Sequence, residues 1–243
     1  MKIGLFGYGK MGMAIEKIAI AKGHEVVWRV NRGNRTDFSP EKLREADVAI
    51  EFSRPESGFA NVRDCLLAGL PVVSGTTGWL GQMSEARQLC LEQKGSFFWA
   101  SNFSVGVNLF FLLNQKLASL MANQPGFHPK MTEFHHIHKL DAPSGTAVTL
   151  ANDLIFYSNK VENWVLSDKN NAESPDPNSL EIEAIREGEI PGTHIVKWES
   201  PVDFIEIKHV AFSREGFASG AVLAAEWLIG REGSFGMPDL LNA

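Results

Sequence analysis

Apolar residues in the first hundred positions fall into short, mostly apolar runs, at residues 3–6, 26–30 and 48–52, each long enough for a buried strand. Between these runs, apolar residues return every three or four positions, as Met11, Ile15 and Ile18 do, and this spacing predicts helices. Strands that alternate with helices favour a parallel sheet. Two further strands are predicted at residues 72–74 and 97–100.

The pattern changes near residue 105. An apolar helix predicted at residues 105–122 is followed by a polar stretch at 159–178, which we interpret as a loop, and by strand-like alternation at 194–199 and 204–212. Because no clear helix separates the last two strands, we expect a mostly antiparallel sheet. The middle of the chain is therefore predicted to form a separate α+β unit. Further helices are predicted at residues 147–155 and 217–229.

Composition excludes several classes of partner. The chain has 23 basic and 29 acidic residues, a net charge of -6, so it offers no global basic field to nucleic acid and no polybasic tail to a membrane. It shows no leader pattern and no apolar run near the ~18 residues of a membrane helix. Cys65 and Cys90 lie in apolar, helix-like contexts typical of reduced core thiols. We expect a cytoplasmic protein.

A glycine pattern follows the first predicted strand. Gly7, Gly9 and Gly12 match G-x-G-x-x-G between a strand and a helix, the context in which this pattern binds a dinucleotide. The first glycine allows a tight turn, the second lets a pyrophosphate approach the backbone, and the third lets the helix pack on the strand. A plain strand-to-helix turn is the alternative interpretation.

The position about 20 residues further on bears on the choice of cofactor. Proteins that bind NAD carry an acid there for the ribose hydroxyls, whereas this chain has Asn31, with Arg29, Arg32 and Arg35 around it. Because cationic side chains accommodate a 2′-phosphate, we predict NADPH as the preferred cofactor and NADH as the alternative. A solvated basic turn would look the same in the sequence.

Polar turns mark the ends of two further predicted strands. Residues 75–78, Gly-Thr-Thr-Gly, follow one of them, and residues 51–55, Glu-Phe-Ser-Arg-Pro, end the preceding one. In open α/β sheets ligands bind at the carboxyl ends of the strands, so both turns are placed to face a nicotinamide ring. Taken alone, each is more often only a turn.

Residues 133–147 hold the densest chemistry in the chain. Possible proton donors and cations come first: His135, His136, His138 and Lys139. Residues 143–146, Pro-Ser-Gly-Thr, then open a helical pattern. The first amides of a helix lack internal acceptors and sit at the positive end of its dipole, so residues 144–146 can bind a carboxylate or phosphate. The segment predicts a site for a small anion.

Taken in order, these motifs resemble those of the dihydrodipicolinate reductase family, which acts in the diaminopimelate route to lysine. The resemblance runs nearly end to end and is most specific at residues 133–147. It also covers residues 7–12, 52–56, 75–78, 100–108 and 217–221. Three departures stand out: a glycine turn one residue shorter than in many members, Asn31 where NADH-using members carry an acid, and Glu51 in place of the usual Asp.

The resemblance implies a Rossmann-like, doubly wound α/β domain built from residues 1–104 and 213–243. A central α+β domain with a mixed or antiparallel sheet, residues 105–212, would bind the substrate and form the interface of a homotetramer. The implied activity is that of an oxidoreductase that reduces 4-hydroxy-tetrahydrodipicolinate, through a cyclic imine with two carboxylates, to tetrahydrodipicolinate with NADPH or NADH.

The resemblance also implies roles for single residues. His135 would be the general acid, and Lys139 would donate to the substrate and stabilise negative charge. The substrate carboxylates would be bound by His136, Ser144, Gly145 and Thr146. The residues expected to contact the cofactor are Gly7, Gly9, Lys10, Met11, Gly12, Asn31, Arg32, Phe52, Gly75, Thr76, Thr77, Ser101, Asn102 and Phe103.

Two other functions stay open at the level of sequence. One is a different NAD(P)-dependent dehydrogenase on the same fold, and the other is a non-catalytic dinucleotide sensor, which would have no use for His135 and Lys139. We expect no metal site at His135 and His138, because Lys139 beside them would repel a dication and the HExxH spacing is missing. His138 itself is interpreted as a structural residue.

Overall fold

The computed structural model describes residues 1–31, 33–34, 39–167, 176, 178–213 and 215–242. It contains two compact units, Met1–Val105 together with Glu215–Ala243, and Gly106–Arg214. Within the described ranges, no helix is both long enough and apolar enough to cross a membrane.

The first unit is built on a six-stranded sheet in which every neighbouring pair is parallel. Its strands are β1 (Lys2–Phe6), β2 (Glu25–Val30), β3 (Val48–Glu51), β4 (Val72–Ser74), β5 (Ser96–Trp99) and β11 (Gly233–Phe235). Its helices are α1 (Lys10–Ala21), α2 (Pro40–Leu43), α3 (Pro55–Leu67), α4 (Met83–Glu92), α7 (Glu215–Leu228) and α8 (Met237–Leu241). A short 3-10 helix, Leu80–Gln82, precedes α4.

Helices cover both faces of this sheet because successive strand residues point to opposite sides. Ile3 and Leu5 of β1 pack with α1 and α7 on one face, whereas Phe6 packs with α3 and α4 on the other. The strand order β11-β5-β4-β3-β1-β2 reverses direction between β1 and β3, which is the place where such sheets bind ligands. The predicted Rossmann-like fold is confirmed.

The second unit contains a five-stranded sheet with the order β10-β9-β6-β8-β7. Its strands are β6 (His128–His135), β7 (Asn163–Leu166), β8 (Ser179–Arg186), β9 (Gly192–Glu199) and β10 (Phe204–Ala211), and its helices are α5 (Val105–Met121) and α6 (Gly145–Ser158). Apolar residues of α5 and α6 form one core with the sheet, in which Trp198 and Leu150 are fully buried.

This sheet is mixed. Strand β9 is antiparallel to both β6 and β10, but β8 is parallel to both β6 and β7. The expectation of a mostly antiparallel sheet therefore holds for half of the strand pairs only. The predicted polar loop at residues 159–178 is wrong at Asn163–Leu166, which form β7 because their backbone pairs with β8.

Candidate functional site

The glycine turn after β1 leaves open surface beside α1. Gly7 has a φ of 88°, and a Cβ there would lie 1.9 Å from the Phe52 carbonyl oxygen, so only glycine fits. A Cβ on Gly12 would lie 2.2 Å from the Gly7 oxygen, which shows how closely the helix approaches the turn. A Cβ on Gly9, by contrast, would meet nothing within 4 Å. This open surface at the start of a helix suits a phosphate.

A cavity of about 730 Å³ lies in front of this turn. Its size falls in the range of sites for small molecules and cofactors. Four residues predicted to contact the cofactor line it, namely Gly7, Gly9, Asn31 and Phe52. The other lining residues are Phe6, Tyr8, Val30, Ser53, Arg54, Glu56, Ser57 and Asn61. The glycine turn and the cavity together fit a dinucleotide.

Phe52 contacts two of the other residues predicted to surround the nicotinamide, Gly75 and Phe103. A Cβ on Gly75 would lie 2.2 Å from the Phe52 ring, so the ring rests directly on the backbone there. The rings of Phe52 and Phe103 are 5.4 Å apart, and Phe103 is only 2% exposed. Thr76 is buried, and its hydroxyl donates to Glu51 at 2.8 Å. Asn102 accepts the Ser104 amide at 2.9 Å.

The end of β2 carries the residues predicted to select the cofactor. Asn31 Oδ1 accepts the Gly33 amide at 2.8 Å, and the Asn31 amide donates to Asn34 Oδ1 at 2.7 Å, so the asparagines shape this turn. The Arg29 guanidinium already has a partner, because it donates to the Glu16 carboxylate. Arg32 and Arg35, on which the NADPH prediction depends, lie outside the described residues.

In the second unit, a buried carboxylate organises the segment after β6. Alternation along β6 places Glu133 and His135 on the same side as the core residue Met131. Glu133 is fully buried; its Oε1 accepts from Arg186 Nη2 at 3.0 Å and from the Ser144 amide at 3.1 Å. The carboxylate thus ties together β6, β8 and the start of α6.

Two imidazoles complete this cluster. His135 Nδ1 lies 3.5 Å and His194 Nε2 lies 3.6 Å from Glu133 Oε2, and the two rings are 5.1 Å apart. His194 Nε2 is also 3.1 Å from the Ser144 hydroxyl oxygen. The sheet register explains the meeting, because β9 places His194 opposite Glu133. We call Glu133, His135, Ser144, Arg186 and His194 the Glu133 cluster.

The Glu133 cluster sets the charge of its members. Burial raises the pKa of the Glu133 carboxyl, but contacts with His194, Ser144 and Arg186 outweigh it, so the pKa falls to about 2. Burial lowers the pKa of His135 to about 4; Glu133 opposes this shift, whereas His194, Lys139 and Arg186 reinforce it. At neutral pH the cluster therefore holds an ionised Glu133 and an uncharged His135.

Lys139 lies beyond β6 and is held by a neighbouring acid. Its Nζ is 2.8 and 2.9 Å from the two oxygens of Asp141, and this hydrogen bond is the main cause of a lowered pKa at Asp141. His138 is exposed and pairs with Glu189 at 3.0 Å, and its interpretation as a structural residue stays a prediction. His136 is half-buried, with its ring 6.0 Å from that of His138.

Helix α6 begins as the sequence predicts. Ser144 is its N-cap and accepts the Ala147 amide at 3.2 Å. Because the Ser144 amide already donates to Glu133, an anion at the start of this helix would be bound by the amides of Gly145 and Thr146.

Family models of dihydrodipicolinate reductase match both parts of the chain. The N-terminal model covers residues 1–103 and the C-terminal model covers residues 106–241. The chain belongs to the dihydrodipicolinate reductase family. It is an oxidoreductase with a dinucleotide-binding N-terminal domain.

Individual members of the family give the same result. The chain is 45% identical, over its whole length and 98% of the relative, to the 4-hydroxy-tetrahydrodipicolinate reductase of Christiangramia forsetii. It is 35% identical, over 85% of the chain and 78% of the relative, to the reductase of the same name from Thiobacillus denitrificans. The fold resembles a dipicolinate-bound dihydrodipicolinate reductase of Paenisporosarcina sp. TG-14, with a TM-score of 0.78, 21% identity and 98% of each chain covered.

Three members of the Glu133 cluster, Glu133, Arg186 and His194, were not identified as functional residues from the sequence. The signal for His194 was present, because it shares strand parity with Val196 and Trp198, both fully buried. In the register of β9 with β10, His209 lies opposite His194. Burial is the main cause of a lowered pKa at His209, and the nearby His194 lowers that pKa further. Arg186 ends β8, a strand that the sequence did not predict.

Glu133, His135 and His194 each offer one metal-ligand atom, and these atoms lie within 4.8 Å of one another. The charges around them do not suit a dication. Arg186 donates to the same carboxylate, and the positive charge of Lys139 acts on the same imidazole. The absence of a metal from this site stays a prediction, now resting on Arg186 as well as on Lys139.

Proposed function

We propose that this chain catalyses the NAD(P)H-dependent reduction of 4-hydroxy-tetrahydrodipicolinate, through the cyclic imine, to tetrahydrodipicolinate. The observation that carries the proposal is the Glu133 cluster, in which a buried imidazole, an ionised carboxylate and a helix start converge next to Lys139. A bound nicotinamide supplies the hydride in this reaction. The protein must then hold a dianionic substrate and deliver one proton.

The substrate carboxylates would bind to the groups after β6. Lys139 supplies a cation, while Gly145 and Thr146 supply helix-terminal amides, and we assign the remaining contacts to His136 and Ser144. We expect Lys139 to move partly away from Asp141 when the substrate binds. Both side chains have room to rearrange, because Lys139 is 21% exposed and Asp141 is 60% exposed. The dicarboxylate named for the Paenisporosarcina structure is the type of ligand that this arrangement fits.

His135 is assigned the role of the general acid. In the free protein its pKa of about 4 keeps the ring neutral at pH 7. A dianion bound beside the ring raises the pKa of the imidazole, because an opposite charge favours the protonated form. His135 therefore takes up its proton together with the substrate and gives it to the carbon that hydride transfer leaves electron-rich. Glu133, 3.5 Å from Nδ1, favours the cationic ring.

The dinucleotide would bind in the first unit, with its phosphates at Gly7, Gly9, Lys10, Met11 and Gly12. The nicotinamide would lie near Phe52, Gly75, Thr76, Thr77, Ser101, Asn102 and Phe103. We propose NADPH as the preferred cofactor, with Asn31 and Arg32 near the ribose phosphate; the support is the absence of an acid at position 31.

We also propose a homotetramer that works in the cytoplasm. The support for assembly is the outer strand β10, on which Phe204, Ile205 and Val210 are 58%, 45% and 40% exposed. The two free, buried cysteines, Cys65 and Cys90, support a reducing compartment such as the cytoplasm.

The activity is tested by following the oxidation of NADPH and NADH in separate assays, with substrate made in place from pyruvate and aspartate semialdehyde. We expect oxidation that depends on this substrate, with a higher kcat/KM for NADPH. Equal values for the two cofactors would refute the cofactor preference alone. Folded protein that binds a dinucleotide but oxidises neither cofactor would refute the reductase and favour a sensor, whereas activity with another carbonyl or imine compound would favour a different dehydrogenase.

A further inference from the structure

Glu51 is a fully buried carboxylate at the end of β3 that takes no part in the steps above. Its Oε1 accepts hydrogen bonds from the Ser53 amide at 3.0 Å, from the Ser53 hydroxyl, and from Thr76 Oγ1 at 2.8 Å. Its Oε2 accepts from Ser74 Oγ at 2.7 Å. Burying a carboxylate costs free energy unless its oxygens are hydrogen-bonded, and here both oxygens are.

These hydrogen bonds join the segment after β3 to the segment after β4. A carboxylate can only accept, so the hydroxyl hydrogens of Ser53, Ser74 and Thr76 all point at Glu51. The lone pairs of the hydroxyls then accept from other groups: Thr76 Oγ1 takes the Ser53 amide at 2.8 Å, and Ser53 Oγ takes Asn61 Nδ2 at 3.1 Å. One carboxylate thus fixes the direction of the whole network.

The network supports the wall of the dinucleotide cavity. Ser53 and Asn61 line the cavity directly. Phe52, which precedes Ser53, has its carbonyl oxygen against the glycine turn at Gly7 and its ring against Gly75. A shift of residues 52–53 would therefore move both ends of the proposed cofactor site.

We propose that Glu51 is a positioning residue for the dinucleotide, which holds the segments after β3 and β4 in the arrangement that binds the cofactor. The proposal rests on the proposed function only in taking this cavity as the dinucleotide site. It also gives a reason for the glutamate at this position, because the side chain spans from β3 to the hydroxyl of Ser74, at the end of β4, and to that of Thr76, just after β4.

The test compares Glu51→Met with Glu51→Gln. Methionine has a similar length but takes the acceptor from the three hydroxyls and leaves the Ser53 amide with Thr76 Oγ1 alone, whereas glutamine keeps an acceptor for Ser53 and Thr76 and requires only Ser74 to reverse its hydroxyl. The dissociation constant of NADPH is measured by fluorescence without substrate, and the thermal midpoint is measured without NADPH. We expect the constant to rise about tenfold or more in Glu51→Met and to stay within about threefold in Glu51→Gln.

Ser74→Ala is the matched control. It removes the hydrogen bond to Oε2 but no residue that lines the cavity, so we expect a lower thermal midpoint and an unchanged dissociation constant. If Glu51→Met does not fold, Thr76→Val replaces it. This variant removes the hydroxyl that bonds both Glu51 and the Ser53 amide, and we expect the dissociation constant to rise about fivefold or more.

Folded Glu51→Met, or Thr76→Val in its place, that binds NADPH within twofold of the wild type would overturn the proposal. Binding by Glu51→Gln as weak as by Glu51→Met would also overturn it. Because NADPH binding is measured alone, this failure is separate from failure of the reductase assignment, which wild-type turnover of the substrate decides.

Discussion

Glu51 and Glu133 are both fully buried carboxylates on sheet strands, but they meet opposite surroundings. In the described part of the chain, the hydrogen bonds to Glu51 come from three hydroxyls and one backbone amide. Glu133 accepts from the Arg186 guanidinium and the Ser144 amide, and two imidazoles lie within 3.6 Å. The first carboxylate accepts from neutral donors that fix geometry, whereas the second pairs with a guanidinium and lies beside two imidazoles, a setting that controls charge.

A buried glutamate can therefore serve two purposes, to fix the position of a loop or to control the protonation of its neighbours. A hydroxyl network transmits position, because each hydrogen bond has one direction and the donors belong to two segments, one after β3 and one at the end of β4. A cluster of charges controls protonation, because moving a charge near a buried imidazole changes its pKa. The first arrangement suits the cavity for the dinucleotide, and the second suits the site that must hold and release a proton.

The largest expected effect is on stability, from Glu133→Gln. Removing one partner of a buried ion pair leaves the other uncompensated, so we expect a loss of roughly 3–5 kcal/mol in the free energy of unfolding, measured with denaturant. Glu51→Gln leaves no cation behind and should cost only about 1 kcal/mol. Glu189→Gln, which removes a highly exposed partner of His138, is the control and should stay within about 0.5 kcal/mol. Equal losses at positions 51 and 133 would show that the guanidinium partner of Glu133 makes no difference to stability.

The next effect is on the acid sensitivity of folding. The pKa of His135 is about 4 in the folded chain and ordinarily 6.5, so as the pH falls this residue binds its proton in the unfolded chain before it does so in the folded one. Stability present above pH 6.5 should therefore fall by up to about 3 kcal/mol between pH 6.5 and 4. Protonation of Glu133, with a pKa of about 2, should remove more stability below pH 4.5.

Denaturant unfolding at several pH values checks this in the wild type, in His135→Asn and in the exposed-site control His138→Asn. The decline between pH 6.5 and 4 should become shallower in His135→Asn and persist in His138→Asn. A decline of the same size in all three proteins would show that His135 does not carry it.

A smaller effect is expected at the cavity in the first unit. A Cβ on Gly9 meets no atom within 4 Å, but it would stand where a phosphate approaches the backbone. Gly9→Ala should therefore keep the thermal midpoint and raise the dissociation constant of NADPH about 30-fold, or ~2 kcal/mol. Gly81→Ala, also in open space but away from the cavity, should change neither quantity. Unchanged NADPH binding in Gly9→Ala would show that no phosphate of the cofactor binds at this turn.

Local patterns predicted the first unit well. The alternation of apolar runs with helical spacing, and the glycines between β1 and α1, depend on neighbours in the sequence. The start of α6 at Ser144 is also a local signal, since an N-cap is recognised from a few residues. The histidines and the lysine after Glu133 stood out for the same reason.

The parts that sequence missed depend on contacts between distant residues. None of the four residues of β7 is buried and three are exposed, so this strand is fixed by its backbone pairing with β8 and not by an alternating apolar pattern. Arg186 and His194 reach Glu133 only through the register of β8 and β9 with β6. The role of Glu51 likewise required knowing that β3 and β4 are neighbours.

We propose that the end of β6 and the segment after it carry the chemistry, and the sharpest test is Lys139→Ala. Turnover at saturating substrate and the NADPH dissociation constant are measured in this variant and in Lys130→Ala, which removes a surface lysine paired with Glu199. We expect kcat to fall about 100-fold in Lys139→Ala with NADPH binding unchanged, and no change in Lys130→Ala. Wild-type turnover in Lys139→Ala would show that Lys139 has no part in the reaction and would contradict the placement of the chemistry in this segment.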